Sequence, residues 1–212
     1  MRRYDAVLFD LLTALIDSWS LWNRVAGSEA AGRKWRAAYL ALTYGCGAYE
    51  PYERLVEQAA RETGMPAGVA RQLSGRWCEL EPWDDAPALL RTLAPTHRLG
   101  VVTNCSEALG RQAAALFEGV QWEVVVTAEG AGYYKPDPRP YGLALEQLGL
   151  PPERVLFVAG SAYDLFGTAA VGLDTLWHNR VGLARPPGAP APLKEFRTLA
   201  EAGAFIHSAE KA

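Results

Sequence analysis

The stretch Tyr4-Asp5-Ala6-Val7-Leu8-Phe9-Asp10-Leu11-Leu12-Thr13 is a short apolar run that ends on an acid. The consecutive apolar residues Val7, Leu8 and Phe9 predict a strand buried on both faces, as in the centre of a parallel sheet. Asp10 falls where this strand ends, and open α/β sheets bind ligands at the carboxyl ends of their strands. The run therefore predicts a functional carboxylate at position 10, although an aspartate here also fits the N-cap of a following helix.

Composition limits the class of protein. The 212 residues suffice for one substantial core and a smaller accessory unit, and an apolar fraction of 50% argues against disorder. A formal net charge of -3 provides no basic surface for nucleic acid or for an anionic membrane. No apolar run approaches the roughly 20 residues of a membrane span, and no signal-peptide pattern precedes the first strand. We therefore expect a cytoplasmic protein.

The cysteines are three scattered thiols without paired spacing: Cys46, Cys78 and Cys105. An odd number of dispersed cysteines indicates neither a disulfide framework nor a zinc site. We predict that all three are reduced.

A long helical block follows the first strand. From residue 19 to about residue 80, apolar residues recur at spacings of three and four, which predicts helices. Gly45-Cys46-Gly47 and Gly64-Met65-Pro66 interrupt the pattern and predict turns between these helices. We predict a helical cap domain over residues 15–85, inserted into a core domain formed by residues 1–14 and 86–212.

Strand-like and helix-like segments alternate after residue 86. The predicted strands cover residues 99–104, 123–127, 155–160 and 174–177. This alternation predicts right-handed crossovers and a doubly wound, mostly parallel sheet of the α/β class. A proline-rich tail over residues 184–192 precedes a predicted amphipathic terminal helix.

Polar residues stand at or just after the ends of four apolar strands. They are Asp10, Thr103 with Asn104, Lys135, and Ser161 with Asp164. The ends of parallel strands lie side by side in a doubly wound sheet, so these side chains are predicted to converge on one pocket. Each residue alone has an ordinary structural explanation, such as capping a helix or facing solvent. Their occurrence together, in chain order, favours a functional site.

The chemistry of these groups indicates covalent catalysis. A carboxylate at position 10 can act as a nucleophile and form an ester, and the charge of Lys135 would keep it ionised. Asp164 would hold Lys135 or orient the water that opens the ester. Neutral donors that position a substrate carboxylate or leaving group are Thr103, Asn104 and Ser161.

This order of motifs resembles the haloacid dehalogenase superfamily over nearly the whole chain. The matching features are the acid after the first strand, Thr103-Asn104, Lys135-Pro136-Asp137-Pro138, and Asp164. The resemblance implies a Rossmann-like core with a helical cap inserted after the first strand. Most members of the superfamily are Mg²⁺-dependent phosphatases, whereas its 2-haloacid dehalogenase branch uses no metal.

The residues that would bind a metal are largely absent. The phosphatases carry a second acid two residues after the nucleophile and another in the fourth motif, and these positions are Leu12 and Gly160 here. Only Asp10 and Asp164 remain of the carboxylates that would bind a hard cation. We therefore predict no metal ligand and no cofactor, with Mg²⁺ required only under the phosphatase alternative.

The dehalogenase branch matches better. The resemblance implies that Asp10 is the nucleophile and that Tyr141, six residues after Lys135, belongs to the site. Trp177-His178-Asn179-Arg180 is similar to the Trp-x-Asn-Arg that follows the fifth strand in that branch.

Three departures from that branch are evident. Leu12-Thr13-Ala14 replaces Tyr-Gly-Thr, which moves the hydroxyl by one position, and Ala159-Gly160-Ser161 replaces Ser-x-Asn. No arginine stands near Ala41-Leu42-Thr43, where the cap arginine of that branch is expected. The nearby candidates to substitute for it are Arg24, Arg33, Arg36 and Arg54.

We predict a 2-haloacid dehalogenase-like hydrolase that acts on a small anionic substrate through an Asp10 ester, without metal. The predicted substrate-binding residues are Leu12, Thr13, Tyr141, Trp19, Trp22 and Tyr44. The alternatives are a Mg²⁺-dependent phosphatase and a binding protein that has kept the fold without the chemistry. A nucleic acid or membrane partner is not expected, and a homodimer is left open.

Overall fold

The structure is a computed structural model that describes residues 3–209. In this part of the chain, the central sheet contains six parallel strands. The strands are β1 Ala6–Phe9, β2 Arg98–Thr103, β3 Trp122–Thr127, β4 Val155–Ala159, β5 Asp174–His178 and β6 Lys194–Phe196. Their order is β3-β2-β1-β4-β5-β6, so the strand order reverses beside β1. The predicted α/β class is confirmed, and the described sheet is parallel throughout.

Strand β1 lies at the centre of the sheet, between β2 and β4. All four of its residues are buried because both faces are covered: Val7 and Phe9 pack into one core, and Ala6 and Leu8 pack into the other. This double burial accounts for the unbroken apolar run. It also places Asp10 at the carboxyl end of the sheet, where the strand order reverses.

A helical region connects β1 to β2. It consists of α1 Ser18–Ala26, α2 Glu29–Gly45, α3 Tyr52–Glu62, α4 Val69–Gly75 and a 3₁₀ turn, Trp77–Glu79. The two chain segments that enter and leave this region pair with each other: the N–H of Asp17 donates to the oxygen of Glu81 at 2.9 Å, and that of Trp83 donates to Leu15 at 2.9 Å. The division into domains at residues 14/15 and 85/86 stays a prediction.

The remaining helices pack on the sheet. They are α5 Ala86–Leu93, α6 Glu107–Ala114, α7 Ala128–Ala131, α8 Pro138–Leu148, α9 Asp164–Ala170 and α10 Leu199–Ala209. None of the helices within residues 3–209 has the length and apolarity needed to cross a membrane.

Strand β6 was not predicted from the sequence. Only Phe196 of its three residues is buried, so the segment carries no clear apolar pattern. The strand separates the proline-rich tail from α10, whereas the sequence suggested that the tail leads directly into the terminal helix.

Candidate active site

Asp10 follows the last residue of β1 and caps the π-helical turn Leu11–Leu15. Its Oδ2 accepts hydrogen bonds from the backbone N–H of Thr13 at 3.0 Å, from that of Ala14 at 3.2 Å, and from the Thr13 hydroxyl. The capping interpretation of Asp10 is therefore locally correct, and the same carboxylate also lines a cavity. Although the Thr13 hydroxyl is one position earlier than the hydroxyl of the 2-haloacid dehalogenase branch, it still contacts the Asp10 carboxylate.

Lys135 joins the two acids of the site. Its Nζ donates to Asp10 Oδ1 at 2.8 Å and to Asp164 Oδ1 at 3.0 Å, and all three side chains are buried. Asn104 holds the Lys135 backbone from both sides, because its Nδ2 donates to the Lys135 oxygen at 2.8 Å and its Oδ1 accepts from the Lys135 N–H at 2.7 Å. Asp10 and Lys135, which are far apart in sequence, therefore meet at the carboxyl end of the sheet.

Asp164, the first residue of α9, has one occupied and one free oxygen. Its Oδ1 accepts from the Tyr141 hydroxyl at 2.6 Å as well as from Lys135. Its Oδ2 is buried and has no hydrogen-bond partner. A buried oxygen in this state is available to a water molecule or a ligand, since buried polar atoms are rarely left unpaired.

The ionisation of these three groups follows from their contacts. Burial acts to raise the pKa of Asp10, but the charge and hydrogen bond of Lys135, together with the Thr13 donors, outweigh it and hold the pKa below its ordinary value. Burial raises the pKa of Asp164, and the negative charge of Asp10 adds to this shift against the opposing effect of Lys135. Burial acts to lower the pKa of Lys135, but the two carboxylates outweigh it and raise that pKa. Asp10 is therefore the stronger acid and is ionised at neutral pH.

Arg36 on α2 is the arginine that reaches the cavity. It is 7% exposed, its Nη1 donates to the Ser18 hydroxyl at 2.8 Å, and its guanidinium lies 4.0 Å from the Trp19 ring centroid. No described carboxylate forms an ion pair with it, and its Nε has no hydrogen-bond partner. Burial lowers the pKa of Arg36, yet arginine stays charged in proteins. The cavity wall thus holds a buried cation that forms no ion pair with a described carboxylate.

The other three arginine candidates are exposed and are bound elsewhere. Arg24 lies 3.9 Å from Glu81, Arg33 donates to Glu29 at 2.8 Å, and Arg54 lies 3.6 Å from Glu50. None of them lines the cavity.

The cavity has a volume of about 130 Å³. The predicted residues that line it are Asp10, Leu12, Thr13, Trp19, Trp22, Tyr44, Asn104, Lys135, Ser161 and Asp164. Its wall is mainly apolar and aromatic, and the Tyr44 ring from α2 lies 4.6 Å from that of Tyr163, which precedes α9. The helical region and the sheet therefore both contribute to one site.

Two predicted site residues do not line the cavity. The Thr103 hydroxyl lies 3.7 Å from the Cys105 sulfur and is buried beneath the site. Tyr141 stands behind Asp164, to which it donates, so the structure places it as a partner of that acid and not as a wall for the substrate.

Arg36 was one of four candidate arginines, and its place on the buried stripe of α2 with Gly32, Trp35, Tyr39 and Thr43, at helical spacing, was a usable signal for choosing it. Other lining residues were not predicted. No sequence signal pointed to Leu183, Ala184 and Pro186, which reach the cavity from the loop after β5. Their contribution depends on how that loop folds back over the sheet.

The donor set does not fit a magnesium ion. Among the described lining residues only Asp10 and Asp164 supply carboxylates, and the Lys135 ammonium already lies between them. Across residues 3–209 no three histidine, cysteine or acidic side chains are grouped closely enough to hold a metal. Hard cations need more oxygen ligands than this arrangement offers.

Comparisons with known proteins identify the family and support the fold. A family model for haloacid dehalogenase-like hydrolases matches residues 4–172. The chain is 29% identical to (S)-2-haloacid dehalogenase H-109 of Pseudomonas putida, over 95% of this chain and 97% of that protein. A solved L-2-haloacid dehalogenase has 24% identity and a TM-score of 0.86, with 96% and 99% of the two chains covered. The L-2-haloacid dehalogenase of Xanthobacter autotrophicus with covalently bound chloropropionic acid has 20% identity and a TM-score of 0.85, with coverage of 96% and 98%.

Proposed function

Because the chain belongs to the haloacid dehalogenase-like hydrolases, we propose that it hydrolyses a small 2-haloacid through an ester on Asp10. The observation that carries this proposal is a buried, ionised Asp10 that shares its cavity with Arg36, a buried cation that forms no ion pair with a described carboxylate. A small carboxylate substrate supplies the partner for that ion pair. The name of the Pseudomonas putida relative supports the same substrate class.

The size of the cavity favours a small acid. Its volume of about 130 Å³ is close to the roughly 150 Å³ of an engineered apolar cavity that binds benzene. 2-Chloropropionate has as many non-hydrogen atoms as benzene. Arg36 binds the substrate carboxylate, and the apolar wall surrounds the carbon chain and the halogen.

The first chemical step is displacement at carbon 2 of the substrate. Asp10 Oδ1 has one donor, Lys135, whereas Oδ2 is held by three, so Oδ1 keeps the lone pairs needed for attack. A bond forms between Oδ1 and carbon 2, and the halide leaves with the bonding pair of electrons. Attack from the face opposite the halide inverts that carbon and produces an ester.

The second step is hydrolysis of this ester. Asp10 Oδ2 becomes the ester carbonyl oxygen, and the donors at Thr13 and Ala14 stabilise the negative charge that develops on it when water attacks. The free Oδ2 of Asp164 takes a proton from the attacking water and returns it to the leaving alkoxide. The products are a 2-hydroxy acid and Asp10 as a carboxylic acid, which releases the second proton of the water to solvent and so becomes a carboxylate again.

Halide release from (S)-2-chloropropionate tests the proposal. We expect turnover by the unaltered chain and its loss in Asp10→Asn, because an amide is a far weaker nucleophile. The matched control is Asp137→Asn, which alters an aspartate that caps α8 outside the cavity. Equal turnover in Asp10→Asn and the unaltered chain would eliminate the covalent route.

Hydrolysis of 4-nitrophenyl phosphate, with and without Mg²⁺, tests the phosphatase alternative. We expect no metal-dependent rate, since the cavity lacks a set of oxygen ligands for the ion. Turnover of any substrate would also remove the alternative of a silent binding protein.

A further inference from the structure

Two peptide groups hold Oδ2 of Asp10. The N–H of Thr13 shares a peptide plane with the carbonyl of Leu12, and the N–H of Ala14 shares one with the carbonyl of Thr13. Both N–H groups donate to the same carboxylate oxygen, at 3.0 and 3.2 Å. Their orientation therefore depends on what their carbonyl ends contact.

Each of these carbonyls accepts a hydrogen bond from a side chain outside the turn. The Ser18 hydroxyl, at the start of α1, donates to the Leu12 oxygen. The indole Nε1 of Trp83, in the segment that returns from the helical region, donates to the Thr13 oxygen at 3.0 Å. Ser18 in turn accepts from Arg36 at 2.8 Å, so hydrogen bonds connect the unpaired guanidinium to the nucleophile.

Trp83 is held firmly enough to orient its partner. Its backbone N–H donates to Leu15 at 2.9 Å, the Arg180 guanidinium lies 5.2 Å from its ring centroid, and the His178 ring packs against it edge-on at 6.4 Å. Trp83 is absent from the cavity wall, and its hydrogen bond to the Thr13 oxygen connects it to the turn that holds Asp10. A peptide that accepts a hydrogen bond at its carbonyl is polarised and becomes a stronger donor at its N–H.

We infer that Trp83, with Ser18 as its counterpart, is a positioning residue for ester hydrolysis, acting through the two peptide groups that hold Asp10 Oδ2. This inference rests on the proposed function, in which that oxygen carries the negative charge of the second step. Weakening the two donors slows hydrolysis of the ester more than its formation. The ester then accumulates on Asp10.

The experiment compares Trp83→Phe with Trp77→Phe. The Trp77 indole also donates to a backbone carbonyl, that of Leu109 at 2.9 Å, but Trp77 does not line the cavity and has no hydrogen bond to the turn, so it is a matched control. For Trp83→Phe we expect kcat to fall roughly fivefold to tenfold, the factor that one hydrogen bond of ordinary strength is worth. KM should fall together with kcat and leave kcat/KM nearly unchanged, because the slowed step follows formation of the ester. Intact-mass spectrometry during turnover should show more esterified Asp10 than in the unaltered chain. Trp77→Phe should show neither change.

A second variant separates loss of the donor from loss of the ring. Benzothienylalanine at position 83 keeps both fused rings and replaces the N–H with sulfur, so it should reproduce the Trp83→Phe kinetics. Unchanged kcat and ester level in both position-83 variants, or equal changes in Trp77→Phe, would overturn the inference.

A measurement without turnover keeps this result distinct from failure of the proposed function. In the benzothienylalanine variant, the NMR amide proton of Ala14 should move to lower frequency, since its hydrogen bond to Asp10 weakens. If the unaltered chain releases no halide from any 2-haloacid, the proposed function fails. An unmoved Ala14 resonance would overturn the inference on its own.

Discussion

The environment of Asp10 differs from that of Asp164 although one lysine touches both. Asp10 has four hydrogen bonds to its two oxygens and a lowered pKa, whereas Asp164 keeps one unpaired oxygen and a raised pKa. Under the proposed function, this difference separates two acids of the same kind into a nucleophile and a proton acceptor. The different donors around each carboxylate produce this division.

Arg36 provides a prediction at the scale of the residue. In Arg36→Met we expect KM for (S)-2-chloropropionate to rise about 10- to 100-fold, since a hydrogen-bonded charge contributes about 1.5–3 kcal/mol to binding. The change in kcat should be smaller, because the carboxylate contact is present before and during the reaction. Arg33→Met, on the same helix but exposed and paired with Glu29, is the control and should leave KM unaltered. Equal KM values in the two variants would contradict this role.

The turn Leu11–Leu15 links β1 to the helical region and carries the donors for Asp10. Gly160, just after β4, packs directly against this turn, and a Cβ at position 160 would overlap the backbone of Thr13 and Ala14. The close approach of the β1 and β4 ends therefore requires glycine at this position. The glycine that replaces an acid of the phosphatase motif has a steric role here.

Gly160→Ala provides a prediction at the scale of the element. The added methyl group should displace the turn, lowering kcat by about 100-fold because small misplacements of reacting groups have effects of that size. We also expect the free energy of unfolding to fall by about 1–3 kcal/mol through overpacking. Gly142→Ala in α8, where a Cβ meets nothing within 4 Å, should instead raise the free energy of unfolding by about 0.5–1 kcal/mol. Kinetics and urea unfolding would measure both effects, and normal kcat in Gly160→Ala would refute the steric argument.

A buried cluster of charges joins distant parts of the chain. Lys135 bridges the end of β1 and the start of α9, and Asn104 ties its backbone to the end of β2. Removing one partner from a buried ion pair leaves an uncompensated charge. The active site is therefore also a point on which stability depends.

Lys135→Met provides the prediction at this scale. At neutral pH we expect the free energy of unfolding to fall by about 3–5 kcal/mol. Because the pKa of folded Lys135 is raised, its stabilisation is complete below the ordinary lysine pKa of about 10.4 and is lost as the pH rises through the folded value. The free energy of unfolding of the unaltered chain and that of Lys135→Met should thus become more similar above about pH 10.4. Urea unfolding between neutral and alkaline pH measures this difference in the free energy of unfolding, with Lys34→Met as an exposed control. A difference that stays constant with pH would contradict the coupling between Lys135 ionisation and stability.

By itself the sequence determined the parallel α/β fold, the helical region after β1, and the positions of Asp10, Lys135 and Asp164 at or after the ends of strands. These follow from the period of apolar residues and their order along the chain, which are local properties. Only the tertiary structure decided which of four arginines reaches the cavity, that Thr13 still contacts Asp10, and that the loop after β5 lines the cavity. The reason is physical: these outcomes depend on distances between segments remote in sequence, and such distances are set by packing.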